Sequence, residues 1–279
     1  MTETFATDDG RTLSYDRRGG GPLLVCHPGG PGYSNAYLAD LGGLGANFTL
    51  ILLNPRGTAA SMPPADASAY TPADYVADVE ELRLHLGVEQ LDLLGHSHGG
   101  VVAAAYAAAH PARVRRVVLA NSLARLRPEA MEAEMLTHAE EPWYADARVG
   151  LEREDKGDYA NDDELREIVR SFMPFYFAHF DDTAERYLDE HLSERPNSDP
   201  LRIFNADIAT WDMRSELAGI TAPTLVITGA RDFITGPACA DDIASSISTS
   251  TRVIVDDCGH FTFVEQPERW RAEITSFLA

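Results

Sequence analysis

Leu91-Asp92-Leu93-Leu94-Gly95-His96-Ser97-His98-Gly99-Gly100-Val101-Val102-Ala103-Ala104-Ala105-Tyr106 carries the sharpest signal in this chain. A short apolar run enters a G-x-S-x-G-G turn, and an Ala-rich helical run leaves it. That context predicts a strand–turn–helix elbow with Ser97 at its tip. Small residues at 95 and 99 let neighbouring backbone pass, while Ser97 is forced into strained φ/ψ. Its hydroxyl is then presented at the C-terminal edge of a sheet, beside a helix N-terminus that favours negative charge.

Working outward, the first 120 residues alternate strand-like and helix-like stretches. Thr12–Arg18, Leu23–Cys26, Phe48–Leu53, Leu91–Leu94 and Val114–Ala120 read as strands. Continuous apolar runs of this length suit parallel strands covered on both faces. Thr71-Pro72-Ala73-Asp74 reads as an N-cap, a proline at the first helical position and an acid at the third. Val76, Val79, Leu82, Arg83 and Leu86 follow at helical spacing, and Gly87 ends that helix. Such alternation predicts a doubly wound α/β sheet. The pattern breaks at about Leu123 and returns at Pro223–Thr228 and Arg252–Val255, before a closing helix from about Pro267. The expected organisation is therefore an α/β core of residues 1–122 and 213–279, split by a helical cap over 123–212.

Composition narrows the function classes. The 279 residues suit one large domain or a domain with an insertion, since domains run to roughly 100–200 residues. Net charge is −21, from 23 basic and 44 acidic residues, which excludes a basic stripe for nucleic acid or anionic lipid. Residues 121–210 carry −12 of that charge. Cys26, Cys239 and Cys258 are widely spaced and form no metal-ligand motif, so free thiols and no metal are expected. The acidic start MTETFATDDG has no apolar signal region, and Val101–Ala109 is far short of the about 18 apolar residues of a membrane span. A cytoplasmic protein with no membrane partner is the expectation; the oligomeric state is left open.

A lone serine is a poor nucleophile; it needs a base, and the base needs an orienting acid. On this layout the chain order is Ser, acid, His, with acid and His on loops after late strands. PTLVITGARDF offers Asp232 and RVIVDDCGHF offers His260. Asp256, Asp257, Asp207 and Asp212 are rival acids, and Cys258 lies two residues before His260. The other chemical motif is His27-Pro28-Gly29-Gly30-Pro31-Gly32, a glycine turn after LLVC. An oxyanion hole needs two N–H donors about 3 Å from the developing charge. His98, directly after Ser97, is expected to supply one and Gly30 the other. His27 is expected to brace its loop, His96 to be buried and satisfied. Ser171–Phe180 (SFMPFYFAHF) concentrates aromatics, with Pro174 kinking or starting a helix. Phe172, Phe175, Tyr176 and Phe233, joined by Trp143 and Trp211, are candidates for an apolar substrate wall.

These residues resemble the α/β-hydrolase superfamily across nearly the whole chain, most closely its prolyl aminopeptidase-like branch. HPGGPG is similar to that branch's H-G-G-P-G oxyanion loop, GHSHGG to its elbow, and Asn54-Pro55-Arg56-Gly57 to its D-x-R-G turn with Asn for Asp. TGARDF and GHFTFVEQPERW are similar to its acid and His segments. The resemblance implies a serine hydrolase with a helical cap and no cofactor, acting on a small ester, lactone, amide or short peptide. True prolyl aminopeptidases hold a free α-amino group with acids, several of them from the cap. Where some relatives place an acid after the triad Asp, this chain has Phe233; Glu140, Glu141, Asp199 and Asp207 are other acids within reach of that role. The alternatives are a carboxylesterase, lactonase or thioesterase without aminopeptidase activity, an acyltransferase, and a non-catalytic ligand-binding relative.

Overall fold

In the computed structural model, which describes residues 2–279, eight strands form one sheet in the order β1-β2-β4-β3-β5-β6-β7-β8. The strands are β1 (Thr2–Ala6), β2 (Thr12–Gly19), β3 (Leu23–His27), β4 (Thr49–Asn54), β5 (Leu91–His96), β6 (Val114–Ala120), β7 (Thr224–Gly229) and β8 (Ser250–Val255). From β4 to β8 all neighbours are parallel; β1 and β2 extend the sheet antiparallel. β1 is absent from the sequence reading. Its TETFA run buries only Phe5, so an edge strand paired on one side leaves almost no apolar signal.

Helices cover both faces of the sheet. α1 (Pro72–His85), α2 (His98–Ala109), α8 (Arg214–Leu217) and α9 (Pro237–Ser246) contribute to one face, while the short α10 (Thr262–Glu265) and α11 (Pro267–Leu278) lie on the other. Alternate strand residues divide accordingly. Val25, Ile51, Leu93 and Val117 pack towards Tyr75 and Val79, whereas Leu24, Leu50, Leu94 and Val118 belong with Trp270 and Ile274. The start of α1 is a full capping box: Thr71 accepts from the Asp74 N–H, and the Asp74 carboxylate accepts from the Thr71 N–H. Arg56, buried in the N-P-R-G turn, binds Asp78 through Nε (2.7 Å) and Nη2 (2.8 Å) and fastens that turn to α1.

Between β6 and α8 lie five α-helices and no strand: α3 (Pro128–Leu136), α4 (Tyr144–Asp155), α5 (Asp162–Phe172), α6 (Asp182–His191) and α7 (Ser198–Asp207). Side chains of Asn161, Asp181 and Asn197 cap α5, α6 and α7, each with an acid in the first turn. The aromatic stretch is not one helix. α5 stops at Phe172, and Pro174 sits in a 3₁₀ turn over Met173–Tyr176.

Winding reverses between β3 and β5: from β3 the chain steps outward to β4, then crosses back to β5 on the other side. Open α/β sheets place their crevice at such a switch point, beyond the C-terminal strand ends. The loop after β3 and the elbow after β5 are therefore neighbours, with His27 in register with Gly95.

Candidate active site

Ser97 has φ 56° and ψ −124°, a strained conformation for a residue with a Cβ. Three glycines make room for it. A Cβ on Gly95 would sit 2.1 Å from the Gly99 carbonyl oxygen, one on Gly99 2.2 Å from that of His27, and one on Gly100 2.4 Å from Ser122 Cβ. A Cβ on Gly29 would come 2.4 Å from Ser97 Cβ, so the β3 loop is packed directly against the elbow.

Asp232 follows β7 and His260 follows β8, at the same sheet edge. His260 Nδ1 donates to Asp232 Oδ2 at 2.9 Å, and both side chains are buried. The carboxylate is surrounded by donors. Asn121 Nδ2 (2.9 Å) and Thr235 Oγ1 (2.6 Å) reach Oδ2, and the Ile234 and Thr235 N–H groups (3.1 and 3.0 Å) reach Oδ1. Burial pushes this carboxyl up, but the His260 charge and the hydrogen bonds from His260, Thr235 and Asn121 outweigh it and hold it well below the usual range. The rival acids lie elsewhere. Asp256 and Asp207 are exposed, Asp257 pairs with His179 (2.7 Å), and Asp212 pairs with Arg214 (2.6 Å).

Ser97, His260, His98 and Gly30 line one cavity of about 640 Å³. Among the described residues no hydrogen bond joins Ser97 Oγ to His260. In unliganded sites such bonds are often long and tighten only with substrate. Among the same residues, the N–H groups of His98 and Gly30 donate to no acceptor. The His98 N–H opens α2, where backbone donors have no partner within the helix. His27 Nδ1 donates to the Pro28 carbonyl (2.8 Å), bracing the loop. His27, His96 and His98 are buried, and burial pushes their imidazoles down to about 4, 3 and 3. They are neutral at pH 7.

Of the six aromatics expected to form the wall, Phe172 and Tyr176 line the cavity. Phe175 is fully buried behind them, with ring centroids 5.2 Å from Trp143 and 5.6 Å from Phe233. Trp211 packs on Phe204 at 5.9 Å, and it is Phe204 that faces the cavity. Those four side chains form a second layer; for Phe175 the cause is the 3₁₀ turn, which redirects the stretch away from a helical period.

Several residues were missed. Asn121 follows β6 at φ 45°, and its position at the end of a strand run was the available signal. Thr235 stands three residues after Asp232, the spacing of a side-chain turn. Glu154 lines the cavity from α4, whereas Glu140, Glu141, Asp199 and Asp207 are exposed and do not. It is partly buried, accepts from Asn205 Nδ2 (3.1 Å), and burial pushes its carboxyl up to about 7.

The family model of the alpha/beta hydrolase fold matches residues 22–267. A proline iminopeptidase of Saccharolobus solfataricus is 28% identical over 276 residues, covering 95% of this chain and 87% of its own length. A 2-hydroxymuconate semialdehyde hydrolase of Pseudomonas sp. (strain CF600) is 29% identical over 280 residues, covering 96% and 90%. The crystal structure of a hydrolase from Pseudomonas aeruginosa PA01 superposes with a TM-score of 0.76 at 29% identity, over 100% of this chain and 98% of that one. The relatives differ in the substrates their names state, but strands β3 to β8 and the loops at their C-terminal ends lie within one matched segment: the chain belongs to the α/β-hydrolase fold family.

Proposed function

We propose that this chain is a serine hydrolase that opens a small ester, lactone or amide through an acyl-enzyme on Ser97. The observation that carries the reading is the buried Asp232–His260 pair at 2.9 Å, sharing a sheet edge with the strained Ser97 and two undonated N–H groups. Ser97 Oγ attacks the carbonyl carbon while His260 Nε2 takes its proton. Asp232 fixes the tautomer with hydrogen on Nδ1 and stabilises the imidazolium. The N–H groups of His98 and Gly30 hold the developing oxyanion. His260 then returns the proton to the leaving alcohol or amine. Water, deprotonated by His260, releases the acid and restores Ser97.

Residues 123–212 act as a cap in this reading, and Phe172 and Tyr176 supply apolar contacts to substrate. One observation favours a second reading, release of an N-terminal residue from a short peptide. Of the four acids that line the cavity, Glu132 pairs with Arg148, Glu152 pairs with Lys156 and Asp155 is exposed; Glu154 is half-buried, and its ionised form would hold a free ammonium group. The named activity of the Saccharolobus solfataricus relative supports the same reading.

Two chromogenic panels with a Ser97→Ala control test both readings. One holds acyl esters and a lactone; the other holds aminoacyl anilides, including a prolyl anilide and its N-blocked form. Ester or lactone turnover without anilide cleavage supports the first reading. Cleavage of the free prolyl anilide but not the blocked one supports the second. Turnover that survives Ser97→Ala overturns both.

A further inference from the structure

A buried line of hydrogen bonds, unused by the steps above, joins the loop after β3 to the loop after β8. The Gly29 N–H donates to Tyr37 Oη. The Tyr37 hydroxyl donates to His96 Nδ1 at 2.8 Å, and His96 Nε2 donates to the His260 carbonyl oxygen at 3.0 Å. Chemistry sets the direction. A carbonyl only accepts, so Nε2 carries the hydrogen; a neutral imidazole then offers Nδ1 as acceptor, and Tyr37 must donate to it. The phenol oxygen is left to accept from Gly29. Tyr37 and His96 are 4% and 1% exposed.

Both ends of the line are mechanistically placed. Gly29 precedes the oxyanion donor Gly30 and is packed against Ser97 Cβ. His260 is the base, and its ring lies 4.8 Å from that of His96, centroid to centroid. We propose that Tyr37 and His96 are positioning residues that hold the oxyanion loop and the base-bearing loop in one fixed relation around Ser97. The inference rests on the acyl-enzyme reading of Ser97, His260 and Asp232. A purely packing role would lower stability and leave turnover of the folded enzyme unchanged. A positioning role lowers turnover, because a misplacement of about 1 Å costs on the order of 100-fold.

The test is steady-state hydrolysis of p-nitrophenyl acetate, the rate of Ser97 modification by a fluorophosphonate, and the melting temperature. The variants are Tyr37→Phe, His96→Gln and the pair combined, with Tyr106→Phe as control. Tyr106 likewise has a hydroxyl that donates a hydrogen bond, to Glu80 (2.7 Å), but it stands near the C-terminal end of α2, whereas Ser97 is at the N-terminal end. The expected result is a kcat about 10- to 100-fold lower for Tyr37→Phe and for His96→Gln, with KM within about threefold and probe modification slowed in parallel. The double variant should match the worse single, because both substitutions cut one line. Tyr106→Phe should lower the melting temperature and keep kcat. The inference is overturned if Tyr37→Phe keeps wild-type kcat, or if the two losses multiply. A wild-type chain that takes no probe at Ser97 overturns the acyl-enzyme reading and this inference with it. A wild type that reacts at Ser97, matched by Tyr37→Phe, overturns this inference alone.

Discussion

The floor and the wall of the cavity are built differently. On the floor, at the ends of β5, β7 and β8, polar groups are buried and paired to one another, as around Asp232. The wall comes from the helices between β6 and β7 and is mostly apolar, with Phe172, Met173, Leu201 and Phe204 among its members. A half-satisfied buried network is unstable, so each floor residue constrains the next. Apolar contacts are non-directional, so the wall is free to vary in sequence at constant shape. In the proposed reading, chemistry belongs to the floor and substrate choice to the wall.

Substitutions on the floor should have the largest effects. Ser97→Ala or His260→Ala should each lower kcat by up to ~10⁶ on the best ester of the panel, because these residues act as a unit. Asp232→Asn should lower it by about 10⁴ through the wrong His260 tautomer, measured on the same substrate. Near-normal rates for Asp232→Asn would break the assignment of chemistry to this edge. Behind the wall, Phe175→Ala should destabilise by about 3–5 kcal/mol in urea titration, with KM nearly unchanged. A tenfold rise in KM with unchanged stability would instead put Phe175 in contact with substrate.

Glu154 gives the smallest and most specific effect. Its folded-state pKa is raised above the ordinary value, so the stability it contributes is complete below about 4.5 and lost as pH rises through about 7. Glu154→Gln should therefore gain stability relative to wild type between pH 5 and 8, read as melting temperature. If this acid binds an ammonium, KM for a free aminoacyl anilide should fall over the same interval in wild type and stay flat in Glu154→Gln. A KM independent of pH in both would leave the wall purely apolar in function.

The same division governs what was legible beforehand. The elbow could be read because a strand, a serine between small residues and a helix must follow each other in sequence. Asp232 and His260 could be read because strand runs place their loops at one edge, although only the geometry separates Asp232 from Asp256, Asp257, Asp207 and Asp212. Asn121, Tyr37 and Glu154 stayed hidden: each acts on residues far away in sequence, and none carries a local pattern. Four of the six wall aromatics lie behind the wall: Phe175 because Pro174 turns the chain out of the helix, and Trp143, Trp211 and Phe233 because the direction of a side chain at a helix end or in a loop depends on packing. β1 went unread because a strand with one buried side chain has no period to detect.

The central claim is that Ser97 is a nucleophile activated by His260 and held beside an oxyanion hole. Intact and peptide-level mass spectrometry after incubation with a fluorophosphonate tests it directly, on wild type and on the Ser97→Ala and His260→Ala variants. One adduct per chain on Ser97 in the wild type, none in Ser97→Ala and strongly slowed labelling in His260→Ala is the predicted result. A wild-type chain that stays unlabelled, or is labelled at another residue, would contradict it.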